Sequence, residues 1–119
     1  MREQDRLHLY RANFDKLTNE GKNNFVIFAH KASEKFVQFV GCKGDQYVVC
    51  DVPLSQLTSD QARATIFLLF SNDYERDTTS YRKRVPSQDA PRLVDEIFRQ
   101  VFRLPNDFDV DVELYIDAW

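Results

Sequence analysis

Apolar and acidic side chains alternate along residues 108–119. Phe108, Val110, Val112, Leu114 and Ile116 fall on one side, and Asp109, Asp111, Glu113, Tyr115 and Asp117 on the other. Period two over such a run predicts a strand with one face on a core and the other in solvent. Near the start of the chain the period changes. Leu7, Tyr10, Phe14 and Leu17 recur at three and four residues, with Arg6, Arg11, Asp15, Lys16 and Glu20 mainly between them. This spacing predicts an amphipathic helix, stopped near Gly21, where a left-handed C-cap costs little.

The centre of the chain reads as strands on short turns. Residues 25–29 form an apolar run rich in strand formers, apolar on both faces as in an interior strand. A polar turn over residues 30–35 precedes a second strand at 36–41. Gly44 and Asp45 then supply hairpin backbone angles before a third strand at 47–52, closed by Pro53. Three sequential strands of this kind predict an antiparallel meander. Thr58 and Gln61 have the spacing of a capping box, opening a helix over residues 59–70 whose apolar end is broad enough to be covered on more than one side. The connection at 71–86 carries Asn72, Asp73, Asp77, Thr78, Thr79 and Ser80 and reads either as a functional loop or, since its later part alternates, as holding a short edge strand. Ser87 or Asp89 caps a last helix, which has Pro91 in its first turn and a wide buried face of Leu93, Val94, Ile97, Phe98, Val101 and Phe102, and which Pro105 ends. The expected fold is a single α+β domain over residues 1–119, its antiparallel sheet (the meander plus the C-terminal strand) packed against three helices.

Composition narrows the function classes. The chain has 119 residues, 43% of them apolar, and a net charge of −3, which disfavours a general nucleic-acid binder. The opening residues are charged, without an apolar targeting core, and no run is long enough to span a bilayer, so a cytoplasmic chain with no membrane partner is expected. Cys42 and Cys50 are expected to remain thiols. His8, His30, Cys42 and Cys50 lack metal-ligand spacing, and three glycines cannot build a nucleotide loop, so neither metal nor cofactor is expected. No nucleophile elbow is present. Asp109, Asp111 and Glu113 on one strand face are the remaining catalytic option, a small hydrolase, but a solvated edge strand explains them as well. Arg76, Arg82, Lys83 and Arg84 form the opposing basic cluster. Were they neighbours of the acidic strand, cross-strand pairing would neutralise both; were they apart, the molecule would carry two oppositely charged surfaces able to self-associate or grip a charged partner.

With FVIF at 25–28, KFVQFVG at 35–41, DVP at 51–53 and LTSDQ at 57–61, the chain resembles the TY-Chap domains, peptide-binding chaperones related to type III secretion chaperones and YbjN. The resemblance implies helices packed on an antiparallel sheet in a secretion-chaperone-like fold, often dimeric, holding an extended peptide or partner against exposed apolar surface. It transfers no catalytic residue. The secretion chaperones typically finish on a helix, whereas this chain finishes on a strand.

The combined expectation is a non-enzymatic, chaperone-like domain that binds a protein or peptide by strand addition, with a homodimer compatible with it. Candidate contact residues are the aromatics Tyr74, Tyr81, Tyr115 and Trp119 and the acids Asp109, Asp111 and Glu113. The alternative is an acidic inhibitor or immunity-type protein that docks on a basic partner through Asp109, Asp111, Glu113 and Asp117.

Overall fold

The computed structural model describes residues 1–69, 74–76 and 79–119, the side chains of 74–76 excepted. Phe70 as a helix end, and Asn72, Asp73, Asp77 and Thr78 in the following connection, lie outside the described residues. Helix α1, Glu3–Asn19, has Glu3 and Asp5 in its first turn, where acids suit the helix dipole, and it buries Arg6, Tyr10, Phe14 and Leu17. Strands β1 (Asn24–His30), β2 (Lys35–Gly41) and β3 (Tyr47–Pro53) follow as the expected meander. Helix α2, Ser59–Leu69, opens on the capping box: Thr58 N–H donates to Gln61 Oε1 at 3.0 Å, and Gln61 N–H donates to Thr58 Oγ1 at 3.2 Å. Then come β4 (Tyr74–Arg76), β5 (Ser80–Pro86), α3 (Ala90–Glu96, continued by one wider turn over Ile97–Val101) and β6 (Asp111–Tyr115).

All six strands are antiparallel in the order β4-β5-β3-β2-β1-β6, so the fold is α+β with the sheet against helices. Val26, Phe28, Val37, Phe39, Val48, Cys50 and Val52 are fully or almost fully buried on one side of the sheet. On that side Tyr10 and Phe14 meet Phe28 and Phe39 edge-on or tilted, with ring centroids 4.9 to 5.4 Å apart. Each such aromatic pair adds about 0.5–1.5 kcal/mol beyond its buried area.

The structure corrects several expectations. The alternation at 79–85 is not a short edge strand: β5 pairs along the whole of β3, and β4 lies outside it. The terminal strand is shorter than its pattern, because Phe108 and Val110 are buried ahead of β6 and Asp109 is not part of the strand. At the start of α3, Asp89 stands in the N-cap position but makes no side-chain cap bond, and Ser87 N–H goes to the Gln46 carbonyl at 2.8 Å. At the apolar end of α2, Leu69 is buried and Ile66 and Leu68 are half-buried, while Phe67 is 84% exposed. Among the described residues no helix is long and apolar enough to cross a membrane.

Candidate functional site

Strand register fixes which side chains share the uncovered side of the sheet. One row runs Tyr115, Phe25, Val40, Val49, Arg84 across β6, β1, β2, β3 and β5; the next runs Glu113, Ile27, Gln38, Asp51, Arg82. Apart from Asp51 and Ser80, the buried residues of these strands belong to the alternate rows, facing the helices. The uncovered side is therefore mainly apolar in the middle, where Gln38 and Asp51 interrupt Phe25, Ile27, Val40 and Val49, acidic at the β6 edge and basic at β5. Acidic and basic segments are separated by β1, β2 and β3, which rules out direct pairing between them.

At the acidic edge, Tyr115 stacks on Phe25 with ring centroids 4.5 Å apart, and Trp119 stacks on the same Phe25 at 6.0 Å. Tyr115 is 43% and Trp119 66% exposed. The tail that carries Trp119 is held by hydrogen bonds rather than by burial. Asp117, at φ +53°, accepts from Lys22 N–H at 2.8 Å and donates its own N–H to Asn24 Oδ1 at 2.9 Å; Ala118 N–H reaches the Asn23 carbonyl at 2.7 Å. The Tyr115 hydroxyl donates to Glu113 Oε2 at 3.0 Å, which raises the phenol above its ordinary range. Asp111 and Glu113 are exposed and make no ion pair with a described cation. Asp109 differs: the N-terminal ammonium donates to it at 2.9 Å, and that bond and charge hold its carboxyl below the usual range.

The other candidates fall elsewhere. Tyr81 lies on the helix side of β5 and is 5% exposed, so it packs in the core and presents no binding surface. Tyr74 stands opposite Lys83 in β4. Asp117 serves the tail turn. The structure thus gathers Asp111, Glu113, Tyr115 and Trp119 at one edge and detaches Asp109, Tyr81 and Tyr74 from it.

Two features went unread in the sequence. The first is a buried ion pair that fixes the segment leading into β6. Arg6, with no exposed surface, donates Nε–H to Asp95 Oδ1 at 2.7 Å and Nη2–H to Oδ2 at 3.2 Å, and the Tyr10 hydroxyl donates to Oδ1 at 2.8 Å. Nη1 also donates to the carbonyls of Met1 and Asn106 at 2.6 and 2.7 Å, and the guanidinium lies 3.8 Å from the Phe108 ring centroid. Burial alone would lower the Arg6 pKa, but the bonds and charge of Asp95 outweigh it and hold the guanidinium firmly charged. Burial, and then the bond to Asp95, push the Tyr10 phenol far up. The second feature is Asp51, 4% exposed on the uncovered side, whose Oδ2 accepts from Arg82 Nε at 3.0 Å while Oδ1 has no partner among the described residues.

Cys42 and Cys50 are free thiols, and burial, with Asp51 beside it, pushes the Cys50 thiol far up, away from nucleophilic use. His30 Nδ1 sits 2.7 Å from Ser33 Oγ, within its own turn. Among the described residues no group of three or more His, Cys, Asp or Glu side chains is arranged to hold a metal ion. No protein-family model matches the chain, and neither a curated protein nor a solved structure matches it.

Proposed function

We propose that this chain is a non-enzymatic protein-binding domain, chaperone-like in that it holds an extended segment of a partner by strand addition along β6. The observation that carries the reading is the state of that edge. β6 pairs with β1 on one side only, and its outward side chains Asp111 and Glu113 have no described cation against them. A strand laid along it gains main-chain hydrogen bonds, and side chains at alternate positions meet the acids. The fitting segment is extended and carries Lys or Arg at every second position. The resemblance to TY-Chap domains points the same way.

Strand addition and the acidic-docking alternative both use Asp111 and Glu113, but they differ in the backbone. The test is hydrogen exchange on the folded protein with a ten-residue peptide alternating Lys and Val, a second with Pro at its centre, and a third with Glu for Lys. Strand addition expects the first peptide to slow exchange of β6 amides, the Pro peptide to fail for want of a donor, and the Glu peptide to be repelled. Equal binding of the Lys-Val and Pro peptides with no protection of β6 would replace strand addition by docking through side chains. Indifference to all three would end both readings.

A further inference from the structure

We propose that the β2–β3 hairpin and Arg84 form a binding site for a monocarboxylate carried on an apolar body, on the uncovered side of the sheet. A cavity of about 460 Å³ opens there over Val40 and Val49, walled by the hairpin residues Cys42, Gln46 and Tyr47 and by Arg84 from β5. Its volume falls in the ordinary range of small-ligand pockets, about 300–1,000 Å³.

Arg84 sets the charge of the occupant. Its guanidinium lies 4.3 Å from the centroid of the Tyr47 ring, a cation–π contact that holds the planar fork in place. No hydrogen bond or ion pair to a described residue uses its donors, whereas Arg82, two positions earlier on the same side, gives Nε–H to Asp51 Oδ2 at 3.0 Å. Asp45 is the one carboxylate in the lining, and it serves the turn, its Oδ2 accepting from Cys42 N–H at 2.7 Å. A guanidinium fixed in this way matches the two oxygens of a carboxylate. One cation balances one negative charge. A phosphate monoester, at about −1.5 to −2, would leave charge uncompensated on a protein of net −3.

The apolar body follows from the rest of the lining. Val40, Val49 and the face of Tyr47, a residue 44% exposed, offer carbon surface beside the cation. The hairpin that walls the cavity is already fixed from both flanks. Lys43 N–H donates to the Gly21 carbonyl at 3.1 Å and Gly44 N–H to the Thr18 carbonyl at 2.7 Å, while Ser87 N–H holds the Gln46 carbonyl at 2.8 Å. Little ordering is left to oppose binding. None of these residues belongs to the β6 edge, so the site does not rest on strand addition. Two sources carry the required chemistry: a free organic acid, and the C-terminal residue of a peptide.

The experiment is an NMR titration of the isotope-labelled full chain with phenylacetate and with neutral phenylacetamide. N-acetyl-Gly-Gly-Phe, with its C-terminus free or amidated, makes a second pair. Phenylacetate should shift the amides of residues 40–49 and 84 with a dissociation constant on the order of millimolar, as suits so small a ligand. Phenylacetamide, which keeps the ring and loses the charge, should bind about tenfold or more weakly. Arg84→Gln should bring the acid down to the level of the amide, and Arg84→Lys, which keeps the charge without the fork, should fall between. The peptide pair separates the sources: a preference for the free C-terminus assigns the site to chain ends as well, and binding of phenylacetate alone confines it to free acids. Acid and amide bound equally by the wild type would overturn the proposal. So would an Arg84→Gln variant that still prefers the acid, or the absence of any shift at residues 40–49 with phenylacetate and the free-ended peptide at tens of millimolar.

Discussion

Arg6 is a charged residue in a position that the helical pattern reserves for core, one turn ahead of Tyr10 on the same side of α1. Its charge is tolerated there because Asp95 meets it with two bonds and three further acceptors or rings surround it. Removing one member of such a pair leaves the other buried and uncompensated, which costs about 3–5 kcal/mol. Asp95→Ala should lose stability of that order in urea unfolding, whereas Arg6→Met combined with Asp95→Leu should recover most of it. In sequence, an arginine is assigned to the solvated side of an amphipathic helix even where its spacing falls on the core stripe. What separates the two cases is an acid about ninety positions away, and no periodicity announces that. Tyr81 shows the converse. As an aromatic in a polar connection it is a candidate contact residue in sequence, but alternation along β5 turns it inward with Val85.

Among the elements, those legible in sequence are the ones whose signals are local. The capping box, the left-handed glycines and the three meander strands all stand where their residues place them. Gly21 shows how tightly one such signal is drawn. At φ +62° it ends the approach from α1, and an added Cβ would lie 2.6 Å from both Asn24 Oδ1 and Ile116 Cγ2. Gly21→Ala combines a disfavoured backbone with a collision against the segment after β6, so it should cost more than about 1 kcal/mol and lower the melting temperature. An unchanged melting temperature would show that the turn relaxes freely. The elements that misled were those shaped by distant contacts. β6 begins at Asp111 rather than at Phe108 because Arg6 draws the preceding carbonyls inward. β5 is an inner strand because β4, three residues long, covers its far side.

Across the whole molecule, a net charge of −3 conceals a separation that only the strand order reveals. The sequence marked an acidic strand and a basic cluster, but whether they touch depends on pairings between segments far apart in the chain. Three strands lie between them, so neither neutralises the other, and the acidic edge keeps its field. Screening should then act directly on recognition. The association rate of the Lys-Val peptide should fall about tenfold or more between low salt and about 0.5 M, where the Debye length shrinks to a few ångströms. Stopped-flow emission of the single tryptophan, Trp119, which stacks beside that edge, provides the measurement; a rate flat with salt would mean that Asp111 and Glu113 do not steer the encounter.

The pairing of β6 with β1 also bears on the order of synthesis. β1 leaves the ribosome well before β6, so the nascent meander waits with one side of β1 unfilled. During that interval any matching strand can occupy the vacancy, including β6 of a neighbouring nascent chain. The grip of Arg6 on residues 106–108, formed from the chain's own α1, favours the strand that arrives on the same polypeptide.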